Sequence, residues 1–183
     1  CKLCLDHYRQ DLRVWAICGK CTQKEHSILN KCTSLPVHFR YNFSSWGWAS
    51  WRNRWNLYES ELKDEWISAN RESVLSFCGR TSGEKLLKRA QMGSSKLVDT
   101  WDYQVCAIQA SQLSFSLHPN ISLVDNIGFG DNATHTHESY VSDPIKVVTS
   151  QERSRWIRAL RLYLNSASTP PVFFREISDL AYK

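Results

Sequence analysis

The segment from residue 97 to residue 136 constrains the fold more than any other part of the chain. It joins a helical pattern with an acidic start (TWDYQVCAIQASQ) to an alternating pattern typical of a strand (LSFSLH). A Gly-Phe-Gly turn and the histidines His135 and His137 follow. A helix that leads into a short strand is typical of an α/β sheet, and the acid and the histidines could form one site after folding.

The first 19 residues show the same alternation of element types. Residues 1 to 11 predict an amphipathic helix because their apolar side chains recur at helical spacing. Residues 12 to 18 are apolar and β-rich, and they predict a buried strand that Gly19 ends. The sequence therefore predicts an α/β fold.

Composition sets the broad class of protein. The 183 residues suit one domain or a large piece of one, and a hydrophobic fraction of 42% with eight tryptophans is ample for a core. The net charge of +5 weakly favours anionic partners. No apolar run approaches the roughly 18 residues that span a bilayer. Because the chain begins at Cys1 within a helical pattern, a fragment or a processed chain is expected.

Seven cysteines exclude a complete disulfide framework and favour free thiols in a reducing compartment. Cys1-x-x-Cys4 and Cys18-Gly-Lys-Cys21 have the spacing of a zinc ribbon. Zinc knuckles lie on tight turns, however, whereas Cys1 and Cys4 fall on the apolar face of the predicted helix. Buried cysteines that act as small hydrophobic residues are the preferred interpretation.

A tryptophan-rich segment follows a predicted strand over Val37–Phe43. Trp48, Trp51 and Trp55 have helical spacing, which predicts a helix from about Ala49 and is typical of a packed core. Trp46 and Trp48 flank Gly47, which permits a left-handed turn between two large rings. Flat rings at a helix mouth offer a surface for a sugar or a base.

The next two helices are predicted from their ends. Ser82 resembles an N-cap for a basic helix over residues 84 to 91, which Gly93 closes. Asp99 or Thr100 caps the following helix, and Asp102 lies in its first turn. Two interpretations of Asp102 stand equal at this point: stabilisation of the helix dipole, or a general base presented to a cleft.

The C-terminal third contains two further patterns. Gly128 and Gly130 have the Gly-x-Gly spacing of a phosphate-binding turn, which is a weak signal by itself. His135 and His137 would point the same way on an extended segment. They are either surface histidines or metal ligands that need further partners. Residues 151 to 165 predict an amphipathic helix with one arginine-rich face, which suits solvation or a peripheral membrane contact.

Three segments resemble, in order, the motifs of a known family. RYNFSSWGWASWRNRW, TWDYQ and NISLVDNIGFGDNATHT resemble the WGWATWRRAW, WDYQW and NLISNIGFGxDATHT motifs of bacterial nucleotide-diphospho-sugar glycosyltransferases, in the hemolytic-protein-like sugar transferase family. Residues 1 to 19 resemble the helix and strand that follow the nucleotide-binding half of these enzymes. The resemblance covers about residues 1 to 137.

This resemblance implies the C-terminal portion of a GT-A (Rossmann-like) fold that lacks its N-terminal nucleotide-binding units. Residues 1 to 145 would form the acceptor-side half, and residues 146 to 183 a C-terminal helical extension. The implied activity is hexosyl transfer from a nucleotide-diphosphate sugar to a glycan or lipid-linked acceptor in polysaccharide biosynthesis. The implied location is the cytoplasm, with a possible contact to the inner face of the membrane, and no nucleic-acid partner is implied.

The resemblance also implies roles for single residues. Asp102 matches the acid that would act as the general base, and His135 would contact a divalent Mn or Mg ion. An upstream Asp-x-Asp, absent from these 183 residues, would share that ion. His137 lies beyond the motif, Val105 replaces a family tryptophan, and Asp125 replaces a family serine. The implied substrate-binding residues are Trp46, Gly47, Trp48, Trp101, Gly128 and Gly130.

Two non-enzymatic functions remain open. Basic charge with exposed tryptophans suits a nucleic-acid-binding module, whose affinity would fall steeply with salt. The scattered basic residues argue against it, apart from the helix over residues 153 to 161. The four N-terminal cysteines suit a zinc-stabilised interaction domain, which would contain one tightly bound zinc per chain.

Overall fold

A computed structural model describes residues 1–21, 35–124 and 149–166. These residues form both helices and strands. The elements are α1 (Lys2–His7), β1 (Val14–Cys18), β2 (Val37–Arg40), β3 (Trp48–Ser50), α2 (Arg52–Trp55), α3 (Asp64–Cys78), α4 (Arg80–Ser94), α5 (Asp102–Ser111), β4 (Phe115–Pro119) and α6 (Ser150–Ser166).

The four described strands form one mixed sheet in the order β2-β4-β1-β3. In this sheet β1 runs parallel to β4 and antiparallel to β3, with Ile17 opposite Leu117 on one side and Ala49 on the other. All five residues of β1 are buried, which explains its uninterrupted apolar sequence. The prediction of a mixed α/β fold is confirmed.

Helix α5 supplies much of the core. Seven of its ten residues are buried, and the helices α3, α4 and α5 pack against one another. The main apolar cluster joins α5 to β1. Its buried members are Trp15, Ala16, Cys18, Phe43, Leu62, Ala90, Val105, Cys106, Ala107 and Ile108.

The chain divides into two compact units. The first contains Cys1–Cys18 and Phe39–Leu117, and the second contains Gly19–His38 and His118–Lys183. In the second unit the indole N–H of Trp156 donates to the carbonyl of Pro36 (2.8 Å) and to Asn120 Oδ1 (3.0 Å). These bonds attach α6 to its own unit. The predicted boundary between residues 145 and 146 lies outside the described residues and stays a prediction.

The tryptophan-rich segment does not form the predicted helix from Ala49. Trp48–Ser50 is the strand β3, and only the four residues of α2 are helical. Pairing of residues 48 to 50 with β1 satisfies the backbone hydrogen-bonding groups at that edge of β1. This pairing outweighs the helical spacing of the tryptophans. Trp48 therefore packs against the core from a strand and Trp55 from a helix. The prediction that both lie on one helix is wrong.

Three predicted helix ends were also wrong. Helix α4 begins at Arg80, so Ser82 lies inside it, and Gly93 is a buried residue within its last turn. The N-cap residue of α5 is Trp101, instead of the predicted Asp99 or Thr100. Gly79, with φ of 83°, separates α3 from α4 and lets the chain reverse there. No part of helix α3 was predicted from the sequence.

The other predicted elements are confirmed with small changes of length. The N-terminal helix is Lys2–His7, the first strand is Val14–Cys18, and the second strand ends at Arg40 instead of Phe43. The strand after α5 includes Pro119, and the amphipathic helix spans Ser150–Ser166. Over the described ranges, no helix has both the length and the apolar character needed to cross a membrane.

Burial of His38 in the second unit predicts a loss of stability in acid. Its side chain is 3% exposed, and burial lowers its pKa from 6.5 to about 4. Its ring lies 5.7 Å from that of His118, centroid to centroid. The folded chain therefore keeps His38 neutral, whereas the unfolded chain takes up a proton below pH 6.5.

The contribution of His38 to the free energy of unfolding should fall by about 3 kcal/mol as the pH drops from 6.5 to 4. Denaturant titrations at several pH values would measure it. His38→Gln should flatten this part of the pH profile, whereas His7→Gln, at an exposed histidine, should preserve it. Equal profiles for all three chains would contradict the prediction.

Candidate active site at the start of helix α5

Five aromatic side chains of the first unit form one cluster, which we call the aromatic cluster: Phe43, Trp48, Trp55, Tyr58 and Trp101. The ring centroids of Trp48 and Trp55 are 5.1 Å apart, and Trp101 lies 5.8 Å from Trp48. Tyr58 stacks on Trp55 at 4.8 Å with an angle of 7° between the rings. These are favourable distances for aromatic pairs.

Trp101 lies at the solvent-exposed edge of the aromatic cluster. Its side chain is 38% exposed, whereas Phe43 beneath it is 6% exposed. Trp101 precedes the first residue of α5, and its ring packs against those of Phe43, Trp48 and Trp55. The cluster therefore presents a supported aromatic surface to solvent.

The turn before β3 has the geometry that Gly47 was predicted to allow. Gly47 has a φ of 61°, in the left-handed region that a side chain disfavours. This turn leads directly into Trp48, while Trp46 stays half-buried before it. Gly47 therefore positions Trp48 as the first residue of β3.

Asp102 is the first residue of α5, as the sequence predicted for an acid in the first turn. Its side chain is half-buried, and the hydroxyl of Thr100 donates a hydrogen bond to its Oδ1. Within the described part of the chain, Oδ2 accepts no hydrogen bond. One carboxylate oxygen is thus oriented by Thr100, and the other is available to a ligand.

Cys106, one turn further along α5, connects the helix to the aromatic cluster. The N–H of Phe43 donates to its Sγ (3.3 Å), and the thiol lies 3.9 Å from the carbonyl of Phe43. Burial raises the pKa of Cys106 to about 12, and the nearby charge of Asp102 adds to this effect. Cys106 is therefore a neutral packing residue and not a nucleophile.

Gln104, the last residue of the TWDYQ segment, is structural in this arrangement. It is 2% exposed, and its Nε2 donates to the carbonyls of Ser60 (3.3 Å) and Thr100 (3.4 Å). The second of these bonds holds the backbone of the residue that orients Asp102. Gln104 therefore supports the start of α5 from inside the core.

The structure brings together three of the predicted site residues, namely Trp48, Trp101 and Asp102, and places Trp46 and Gly47 in the turn before Trp48. Gly128, Gly130, His135 and His137 lie outside the described residues, so their roles stay predictions. Among the residues that are described, no three His, Cys, Asp or Glu side chains lie close enough to hold a metal ion. The described residues thus do not form the implied metal site by themselves.

The cysteines predicted as zinc ligands differ in their surroundings. Cys1 is exposed, whereas Cys4, Cys18 and Cys21 are buried. Burial raises the pKa of both Cys4 and Cys18 to about 11. These two thiols therefore pack as small hydrophobic groups, as the preferred interpretation expects, whereas the prediction that Cys1 is also buried is wrong.

Four contributors to the site were missed in the sequence. Phe43, Trp55 and Tyr58 complete the aromatic cluster, and Thr100 orients Asp102. Thr100 could have been found, because its hydroxyl lies only two positions before the carboxylate of Asp102 in the sequence. The three aromatic residues could not, because their contacts depend on how β3, α2 and α5 pack together.

Comparison of the chain with models of protein families, with curated proteins and with solved structures finds no match.

Proposed function

We propose that these residues are the acceptor side of a glycosyltransferase, as the C-terminal portion of a GT-A fold, with Asp102 as the general base. The observation that carries the proposal is the half-buried carboxylate of Asp102 at the position that follows the exposed Trp101. Aromatic rings bind the C–H faces of sugars, and a carboxylate takes a proton from a hydroxyl group. Both groups lie at the start of one well-packed helix.

In this proposal the acceptor sugar stacks on Trp101, and one of its hydroxyl groups faces Oδ2 of Asp102. The hydroxyl proton passes to Asp102 while the oxygen forms a bond to the anomeric carbon of the donor. The bond from that carbon to the nucleotide diphosphate breaks, and the diphosphate leaves with the electron pair. Thr100 keeps the carboxylate oriented throughout.

A divalent ion would neutralise the leaving diphosphate. The predicted contributors are His135 and an Asp-x-Asp outside these 183 residues. No step above depends on that ion. Because most of the nucleotide-binding residues are predicted to lie outside these 183 residues, we expect them alone to show weak or no transfer. Acceptor binding is the more direct test of the described site.

Removal of the Trp101 ring should weaken acceptor binding. An array of immobilised oligosaccharides would first identify a ligand of the 183-residue chain, and calorimetry would then measure its affinity. Trp101→Ala should lower that affinity about tenfold because the sugar loses its stacking surface. Leu57→Ala removes another exposed apolar side chain, 46% exposed and outside the aromatic cluster, and should leave the affinity unchanged.

Two results would count against this acceptor site. One is the absence of binding to any oligosaccharide on the array. The other is a loss of affinity in Leu57→Ala that equals the loss in Trp101→Ala, which would indicate a general effect on folding.

The predicted peripheral membrane contact stays a separate prediction. Arg155, Arg158 and Arg161 on α6 are exposed, as a basic membrane-facing helix requires. Exposed arginines are equally expected on a solvated helix, so this observation does not extend the proposal.

A further inference from the structure

A concave surface apart from the candidate site lies on the first unit. It is a cavity of about 400 Å³ between the end of α1 and helix α2. None of its residues belongs to the aromatic cluster, and Asp102 is not among them. Its lining contains three arginines and no carboxylate, together with amide side chains and one indole: Arg9, Arg52, Arg54, Gln10, Asn53, Asn56 and Trp51.

Arg54 is the fixed element of this cavity. Its side chain is 4% exposed, and its Nη2 donates to the carbonyls of Arg9 (2.9 Å) and Asp11 (3.1 Å). Its Nη1 donates to Asn53 Oδ1 (2.8 Å). The guanidinium carbon lies 4.5 Å from the ring centroid of Trp51, a favourable cation–π distance.

The partners of Arg54 are themselves fixed. The indole N–H of Trp51 donates to the carbonyl of Leu5 (3.1 Å), which holds the ring against α1. The Arg54 guanidinium therefore binds a ligand without first losing side-chain entropy. Such preorganised groups bind more tightly than flexible ones.

Among the described residues, no carboxylate forms a salt bridge with Arg54, and its charge is only partly offset by that of Asp11. Asp11 itself accepts two hydrogen bonds of 2.9 Å from the guanidinium of Arg13. The Nε of Arg54 is buried without a hydrogen-bond partner, and burial lowers the pKa of Arg54 while the charge of Asp11 opposes this effect. A buried cation whose charge is only partly offset is costly, and a bound anion would reduce that cost.

We propose that this cavity binds the phosphate group of a small soluble molecule. Arg54 supplies a fixed charge at its inner wall, and the exposed side chains of Arg9 and Arg52 close on the phosphate oxygens. Guanidinium groups suit phosphate because they form paired, charge-assisted hydrogen bonds. The volume exceeds that of one phosphate group, so the cavity also has room for the organic part of a phosphate ester.

This inference does not depend on the glycosyltransferase proposal, because the two sites share no residue. Calorimetric titration of the 183-residue chain with inorganic phosphate and with pyrophosphate, at constant ionic strength, would test it. Arg52→Gln should weaken binding of these probes about tenfold. Arg80→Gln removes an exposed arginine outside the cavity and should leave the affinity unchanged.

A second variant separates charge from geometry. Arg54→Lys keeps the positive charge but loses the planar guanidinium, and it should weaken phosphate binding about tenfold or more. Thermal unfolding would confirm that this variant is folded. Should it fail to fold, Arg52→Gln alone decides the result, because the side chain of Arg52 is exposed and makes no hydrogen bond in the described structure.

Three results would overturn the proposal. The first is no heat of binding with either probe at tens of millimolar. The second is an equal loss of affinity in Arg52→Gln and Arg80→Gln, which would indicate non-specific attraction. The third is binding to phosphatidic acid vesicles but not to soluble phosphate, which would indicate a lipid surface.

Discussion

Replacing Asp102 with Asn should reduce sugar transfer about 10³-fold, with folding unchanged. The amide is close in size to the carboxylate but cannot take the proton of the acceptor hydroxyl. Thr100 still has an oxygen at position 102 to which it can donate, so the start of α5 should persist. The rate would be measured with the longest polypeptide that contains these residues, using a nucleotide-diphosphate sugar and the identified acceptor.

Asp99→Asn is the matched control for this variant. Asp99 is an exposed carboxylate three positions earlier, so its loss changes the charge equally without touching the site. It should transfer at the rate of the unchanged chain. If Asp102→Asn also kept that rate, Asp102 would not be the base, although the Trp101 surface could still bind a sugar.

The two site variants should lose different functions: Trp101→Ala should lose acceptor binding, and Asp102→Asn should lose turnover. Asp102→Asn should bind the acceptor with nearly unchanged affinity, because the ring of Trp101 remains in place. Trp101→Ala should bind it weakly and keep the base. Equal losses of acceptor affinity in the two variants would indicate that the start of α5 is a structural element and not a site.

Gly83→Val should destabilise the first unit by about 3 kcal/mol and lower Tm by about 10 °C. Gly83 lies in α4 where this helix meets α3. A Cβ atom there would lie 2.7 Å from Leu75 Cδ2, 3.0 Å from Leu75 Cα and 3.2 Å from the carbonyl oxygen of Val74. The last two are backbone atoms of a packed helix, so the two helices would have to separate.

A control at position 85 isolates the packing effect. Lys85→Val introduces the same β-branched residue on an exposed position of α4, so it reports helix propensity alone. It should cost less than about 1 kcal/mol. Thermal unfolding followed by circular dichroism would compare the two variants. A Gly83→Val chain as stable as Lys85→Val would show that α3 and α4 adjust without loss.

Elements with one dominant signal could be predicted from the sequence. The run VWAIC of β1 is apolar at every position because the strand is buried throughout. Helix α6 was predicted because Leu160 and Leu164 alternate with exposed arginines. Asp102 was placed in the first turn of α5 by the polar start of an otherwise apolar helix.

Elements whose signal depends on their neighbours could not be predicted. Helix α3 buries Val74, Leu75 and Cys78 only in its C-terminal half, so its acidic first half resembles a loop. Gly93 resembles a helix end but lies inside α4, where a Cβ would meet the side-chain oxygen of Gln104 at 2.8 Å. Such a glycine is explained only by the helix that packs against it.

The same limit applies to the candidate site. The TWDYQ segment supplied Asp102 and Trp101, but its Gln104 is in the core. The partners of Trp101 come from β3 and α2, whose residues have helical spacing without forming one helix. The basic cavity was not predicted because Arg9 is far in sequence from the two arginines of α2.

The position of β1 in the sheet has a consequence for how the chain folds. This strand is formed from residues 14 to 18, but its parallel partner is β4, about 100 residues later. The N–H of Phe115 donates to the carbonyl of Arg13 (2.7 Å), which joins the two strands. During synthesis β1 can pair with β3 first, but its other edge has no partner until residues 115 to 119 of β4 have been made. We expect this topology to give slow, high-contact-order folding and a dependence on chaperones.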